Sequence, residues 1–357
     1  MKKTTKLLAL LLSVVLVMAM FTGCGKKDSD NSSKDKNETQ ATENGTEETF
    51  EKETEAFTAD DAKEYNIAML KGPTAIGFIK AWEDSDNGDT LNQYHVTAYG
   101  TADEITAGLV KGEIDIAAVP CNLASVLYNK TEGQIKVAAI NTLGVLYMIS
   151  TSDSIKSVSD LKGKTIYTTG QGTTPEYTLN YILEKNGLTP GEDVTIEYKS
   201  ESTEVAAAMS EAEDAIAMLP QPYVTTVLSQ NENMKIVLDM TEEWEKVSEG
   251  SSLVTGVVVV RNDVIEENEK AFEQFMKDYS ASAEYAVENV EETANLVEKH
   301  DIFKAAVATK AIPYCNIKFV TGNEMKTSIE SYLKVLHTAN PQSVGGTMPA
   351  DDFYYMP

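Results

Sequence analysis

Leu161–Leu183, LKGKTIYTTGQGTTPEYTLNYIL, reads as a buried strand, a Gly/Thr loop and a helix in immediate succession. Thr165 to Thr168 are β-branched or aromatic and favour a strand. Gly170 and Gly172 break it, and Thr173 or Thr174 caps a helix whose first turn holds Pro175 and Glu176. Such a loop leaves backbone N–H groups unpaired at the helix start, where a ligand can take them up. The same order occurs earlier in the chain: Asn66–Leu70 is apolar, Gly72-Pro73-Thr74 is the break, and Ala75–Trp82 continues as a helix. A shift of one hundred positions superposes Gly72 on Gly172 and Thr74 on Thr174. It also brings Glu104, Ala107, Glu113, Ile116, Ala117 and Pro120 onto Glu204, Ala207, Glu213, Ile216, Ala217 and Pro220. Matches at corresponding element ends predict two similar α/β lobes. Since ligands of open α/β sheets bind outside the carboxyl ends of the strands, the lobes would enclose one cleft.

Outward from these two stretches, strands alternate with helices, which predicts mostly parallel sheets. The first lobe runs through strand Tyr94–Tyr99, helix Asp103–Lys111, strand Ile114–Val119, a helix opening after Pro120-Cys121-Asn122, and strand Lys136–Ile140. Asn141-Thr142 leads into Leu146–Ser150, an extended segment that serves as the first crossing between lobes. Ser252–Val260, SLVTGVVVV, is the second, with Gly256 as its flexing point. Strands Thr165–Thr168, Val194–Tyr198, Ala215–Leu219 and Lys235–Leu238 fall between the crossings. The resulting division is 64–142 with 255–357 for the first lobe and 143–254 for the second. Phe272, Phe275, Met276 and Tyr279, and Ile329, Leu333 and Leu336, recur at helical spacing and are expected to pack back on the first lobe.

Lys2, Lys3 and Lys6 precede an apolar run from Leu7 to Phe21 that is short for a permanent membrane span and has the layout of an export signal. The run ends in Phe21-Thr22-Gly23-Cys24. Residues 24–63 are so rich in Lys, Asp, Glu, Asn, Ser and Thr that they cannot bury enough surface to fold, and are expected to form a tether. The formal charge of −26 argues against a nucleic-acid partner and for a small-molecule or protein partner. Arg261 is the only arginine, so no cluster of guanidinium groups can clamp an anion. Only His95, His300 and His337 are available for histidine chemistry, and no metal-ligand or nucleophile motif is present. Neither catalysis, nor a metal, nor a cofactor is expected. Cys121 and Cys315 read as buried free thiols, with a disulfide as the alternative.

The expected ligand site gathers Gly72, Pro73, Thr74, Pro120, Cys121, Asn122 and Asn141 from the first lobe. Gly172, Thr173, Thr174, Pro220 and Gln221 face them from the second. The threonines offer hydroxyls beside free N–H groups at positive helix ends, and Asn122 and Gln221 add amides. Tyr177, Tyr223, Trp82 and Tyr99 are candidate stacking walls.

Four stretches, IDIAAVPCNLAS, DSIKSVSDLKGKTIY, GQGTTPEYTLNYILEKNGL and AMLPQPYVT, with the export signal ending in Gly23-Cys24, resemble a solute-binding lipoprotein of an ATP-binding-cassette (ABC) importer. The resemblance is closest to the branch that groups sulfonate, taurine, nitrate and thiamine-precursor binding proteins. It implies the type II periplasmic binding protein fold, a ligand held between hinged lobes, an importer permease as partner, a lipid on Cys24, an extracytoplasmic membrane-anchored location and a monomer. A sulfonate- or nitrate-like anion, or a thiamine-precursor-like heterocycle, is the ligand class so implied. Two other readings fit the same residues: a pyrimidine-forming enzyme of related fold, and a ligand-sensing surface lipoprotein without transport.

Overall fold

A computed structural model describes residues 56–213 and 215–356. The export signal, Cys24 and most of the expected tether lie outside the described residues. The last part of that segment, read as tether, is ordered: Ala59–Asp61 forms a 3-10 turn and Phe57 packs against the core. The turn is held by Asp61, whose carboxylate accepts from the N–H and hydroxyl of Thr58, both at 3.0 Å.

Eleven strands are described: β1 (Glu64–Leu70), β2 (Gln93–Tyr99), β3 (Ile116–Pro120), β4 (Ile135–Leu143), β5 (Leu146–Ser150), β6 (Thr165–Thr168), β7 (Thr195–Tyr198), β8 (Ile216–Pro220), β9 (Lys235–Asp239), β10 (Val254–Arg261) and β11 (Ile317–Val320). They form two sheets, β11-β4-β10-β3-β1-β2 and β7-β6-β8-β5-β9. β1 is parallel to β2 and β3, as β6 is to β7 and β8. Each crossing segment becomes an antiparallel strand in the sheet it enters. β5 lies between β8 and β9, with Leu146 opposite Pro220; β10 lies between β3 and β4, with Gly256 opposite Pro120. β2-β1-β3-β10-β4 therefore has the order and directions of β7-β6-β8-β5-β9. The one-hundred-residue correspondence is a repeat of architecture.

One apolar core is shared by both sheets. Val119, Val137 and Val257 of the first meet Leu146, Ile166 and Met218 of the second, beneath helix Gly322–Ala339. Ile329, Leu333 and Leu336 of that helix belong to this core; the helix packs on β4 and β10 of the first sheet, as expected, and also on helix Thr174–Lys185. Trp244, on helix Met240–Val247, anchors this core, with its indole N–H donating to the Ser251 carbonyl at 2.8 Å and its ring 5.3 Å from that of Tyr332. A second core lies on the other face of the first sheet, where Phe272, Phe275 and Tyr279 of helix Glu269–Glu288 meet Phe78 and Tyr94. Each such buried aromatic contributes about 1.5–3 kcal/mol of burial. The helix expected over Ala75–Trp82 is broken: a single turn, Pro73–Ile76, is followed after Gly77 by Ile79–Asn87. Gly77 lies against β11, where a Cβ would stand 3.1 Å from Ile317.

Candidate functional site

The carboxyl ends of β1, β2, β3, β6, β7 and β8 turn towards one another and bound a cavity of about 610 Å³. Gly72, Pro73, Thr74 and Pro120 line it from the first sheet; Gly172, Thr173, Thr174 and Pro220 line it from the second. Four of the expected residues do not line it. Cys121 and Asn122 start a helix whose first turn is turned inward, so both side chains are fully buried, and Gln221 and Asn141 are buried as well. The Gln221 side-chain Oε1 is occupied, accepting from the N–H and hydroxyl of Thr225 at 3.2 and 2.8 Å. Asn141 is not in a crossing at all, because β4 runs on to Leu143.

The expected hydroxyl contacts are also altered. Thr74 donates to the Leu70 carbonyl at 2.8 Å, Thr173 to the Gly170 carbonyl at 2.7 Å and Thr174 to Asn122 Oδ1 at 3.2 Å. Their protons are committed, so at these three threonines an incoming acceptor meets backbone N–H and not a free hydroxyl. Three helices of useful length open on the cavity, at Ala102, Thr174 and Ser202, and none has a side chain bonded to its first-turn N–H groups from the N-cap position. The chain makes that approach possible with Gly170 and Gly172 at φ +77° and +76°, a left-handed conformation in which a Cβ would be strained.

Charged side chains on the cavity are Lys71 and Lys199, opposed by Asp103. The Lys199 ammonium is 3.8 Å from Glu197 and 5.5 Å from the centre of the Tyr167 ring. Tyr223 and Tyr198 supply the aromatic walls. Burial raises both hydroxyls, Tyr223 up to about 12, so both stay protonated donors at neutral pH. Of the other candidate stacking residues, Trp82 is away from the cavity against the His300 ring at 4.4 Å, and Tyr99 and Tyr177 pack at the edge of the shared core. Among the residues sequence reasoning missed, Gly100–Asp103 follow β2 and Tyr198–Ser200 run from the last residue of β7; the carboxyl-end rule applied to all parallel strands, not only those preceding a glycine, points to them. Cys121 and Cys315 are both free, and burial pushes both thiols well above their ordinary value, which makes them poor nucleophiles. Among the described residues no group of acidic, histidine or cysteine side chains could hold a metal ion, and no helix is long and apolar enough to cross a membrane.

Two sheets related by an architectural repeat, two antiparallel crossings and a cavity between facing strand ends define the two-lobed fold of periplasmic solute-binding proteins. An ABC transporter protein from Parabacteroides distasonis has this fold, with a TM-score of 0.67 and 27% identity over 82% of this chain and 98% of that one. The periplasmic aliphatic sulphonate binding protein SsuA from Escherichia coli shares it at a TM-score of 0.66 and 14% identity, over 82% of this chain and 92% of its own. So does the nitrate-binding protein NrtA from Synechocystis, at a TM-score of 0.58 and 14% identity, over 79% and 84%. The chain belongs to the family described as menaquinone biosynthesis, whose sequence model matches residues 90–338. A provisionally named binding protein of Brucella abortus is 26% identical over 200 residues, 56% of this chain. That match spans 59% of the Brucella protein's own length.

Proposed function

We propose that the chain is an extracytoplasmic solute-binding lipoprotein that captures a small molecule between lobes 64–142 with 255–357 and 143–254, and delivers it to an ABC importer permease. The observation that carries this reading is the cavity itself: it is large enough for a small organic molecule and takes matching loops from two repeated halves. The names of the structural relatives support an importer partner. Cys24 is the lipid attachment point in this reading, after removal of residues 1–23, and the working unit is a monomer. The ligand presents an anionic or acceptor-rich group to the uncapped helix starts at Ala102, Thr174 and Ser202, and the lysines Lys71 and Lys199 add to their field. A sulfonate- or nitrate-like anion and an acidic heterocycle both have that chemistry. Thermal-shift and calorimetric screening with alkanesulfonates, nitrate, pyrimidines and aromatic acids tests it, a bound ligand raising the melting temperature. Absence of any shift across the set at millimolar concentration would remove the capture role. Labelling with palmitate, lost in Cys24→Ser, tests the anchor.

The family match favours a second reading, in which the cavity converts its ligand on the way to menaquinone. Among the described residues the cavity's titratable side chains are Lys71, Asp103, Tyr198, Lys199 and Tyr223, with no histidine or cysteine. Mass spectrometry of the ligand before and after incubation separates the two: recovery unchanged supports capture, and a new product supports conversion.

A further inference from the structure

A charged side chain crosses the rim of the cavity from one lobe to the other. Thr101 and Glu201 hold the same place in the architectural repeat: each is the N-cap residue of the helix that follows an edge strand, Ala102–Lys111 after β2 and Ser202–Ser210 after β7. Their backbones match, with φ and ψ of −129° and 155° at Thr101 and −131° and 152° at Glu201. Threonine is a common N-cap residue and glutamate is not, and neither side chain caps its own helix. Glu201 reaches instead to the first lobe, where a Cβ at Gly100 would stand 2.9 Å from its carboxyl carbon and from Oε1. Gly100 lacks the left-handed backbone for which glycine is otherwise kept, so here glycine makes room for the carboxyl. The Thr203 hydroxyl steadies that carboxyl, donating to Oε2 at 3.1 Å.

Glu201 is half-buried and stands behind the cavity wall, between Ser200 and Ser202, which line it. Its charge is felt inside: burial, and after it the Glu201 carboxylate, raises the hydroxyl of Tyr223, a wall residue, to about 12. Asp103, in the first turn of the helix beyond Gly100, lines the cavity and brings a second carboxylate to the rim from the other lobe. Among the described residues neither carboxylate is paired with a lysine, arginine or histidine; Lys199, two positions before Glu201, lies 3.8 Å from Glu197 instead. The site thus sets two cavity lysines, Lys71 and Lys199, against two rim carboxylates, one from each lobe. In a cleft partly shut off from water, unpaired charges repel a third of the same sign more strongly than they do in bulk solvent.

We infer that Asp103 and Glu201 form a charge gate, which admits a molecule with one anionic group and rejects one that brings a second negative charge to the rim. The inference rests on the capture reading and narrows it: the ligand is a monoanion whose other end is uncharged or cationic. Selection here comes from a repulsive element and not from an added contact. Because the Glu201 carboxyl lies against Gly100, the gate takes a group from each lobe and is complete only when the two loops stand this close.

Pairs of equal size that differ by one charge test it: succinamate against succinate, 4-carbamoylbenzoate against terephthalate, and carbamoylmethanesulfonate against sulfoacetate. Each is titrated calorimetrically into the full chain at about pH 8, where every acid group of the set is ionised. In at least one pair the monoanion is expected to bind about tenfold more tightly, the scale of one like charge at a partly exposed site. Glu201→Gln and Asp103→Asn keep the shape of the side chain and remove its charge. Each should raise the dianion's affinity more than the monoanion's and move the ratio towards parity, whereas a merely structural role would change both affinities alike. Glu204→Gln, at an exposed glutamate on the same helix and off the cavity, controls for net charge and should leave the ratio as it is. A dianion that binds as tightly as its monoamide in every pair, a preference that survives both substitutions, or an equal response to Glu204→Gln would overturn the inference and leave capture standing. If no member of any pair binds to the parent protein or to either variant, the capture of an anion falls with it.

Discussion

The Thr174 hydroxyl donates to Asn122 Oδ1 at 3.2 Å, joining the helix that starts the second sheet's ligand loop to the helix that follows β3 of the first. The same Asn122 amide donates to the Ser343 carbonyl at 2.9 Å and to the Gly172 carbonyl at 3.3 Å. One fully buried side chain thus ties together both sheets' loops and the chain's C-terminal stretch.

Asn122 is therefore expected to act through stability before affinity. In Asn122→Ala the Ser343 carbonyl and the Thr174 hydroxyl lose their partner in the interior, and a loss of about 1–3 kcal/mol follows. Urea denaturation measures it as a lower midpoint at unchanged slope. A midpoint equal to that of the parent protein would mean that the three bonds contribute nothing.

Gly170 and Gly172 share a left-handed backbone but differ in their surroundings. A Cβ at Gly172 meets nothing within 4 Å, so Gly172→Ala should cost only the backbone strain, about 1–2 kcal/mol. At Gly170 it would stand 2.8 Å from Thr173 Oγ1 and 2.9 Å from the Pro175 ring, so Gly170→Ala should cost more and displace the helix start as well. Equal destabilisation of the two variants would show that strain alone governs this loop.

The loop glycines, the strand before them and the helix after them are legible because local rules decide them: β-branched residues, then glycine, then a threonine followed by proline. The repeat is legible for the same reason, since Pro120 and Pro220 close equivalent strands. What escapes is set by tertiary contact. Asn122 follows a strand's carboxyl end as a ligand residue would, yet its helix rolls it into the interior, where it pairs with residues 50 and 221 positions away. The three register slips between β4 and β10, two of them at Thr255 and Asn141, depend on how β10 and β11 both abut β4, which no single segment encodes. Gly77 breaks its helix because Ile317 lies against it, 240 positions further on, and local spacing carries no trace of that.

Acid should destabilise the fold in a window set by its paired carboxylates. Glu83 accepts from the Lys299 ammonium at 2.6 and 2.7 Å and lies 3.0 Å from His300 Nε2. Hydrogen bonding from Lys299 holds its carboxyl down at about 2. A group whose folded value lies below its unfolded one stabilises the protein above the unfolded value, about 4.3 for glutamate, and that contribution is lost as pH falls towards 2. Melting temperature should fall through this window, and Glu83→Gln should flatten the dependence while lowering stability at neutral pH. A variant with the parent's full pH slope would show that other carboxylates carry it, Asp263 beside Arg261 among them.

Tyr223 meets the first sheet's side of the cavity in two ways, and its substitutions should separate them. It stands at the start of helix Tyr223–Gln230 beyond β8, its hydroxyl reaches the Lys71 carbonyl only at 3.5 Å, and its ring meets Phe303 edge-on at 5.0 Å. A hydrogen bond of that length is weak, so Tyr223→Phe should change stability by less than about 0.5 kcal/mol. Removing the buried ring in Tyr223→Ala should cost about 3–5 kcal/mol, the usual penalty for deleting a core aromatic. The ring also reaches from the second sheet's helix to Phe303, in the turn between helices Val290–Lys299 and Ala305–Ala311, so its loss frees the two halves to separate. Small-angle scattering of the ligand-free protein should then give a larger radius of gyration for Tyr223→Ala than for Tyr223→Phe. A saturating ligand that contacts both halves should bring the two values back together, because it favours the closed arrangement whichever side chain is present. If the alanine variant stays as compact as the phenylalanine variant without ligand, the Tyr223–Phe303 contact plays no part in holding the cavity closed.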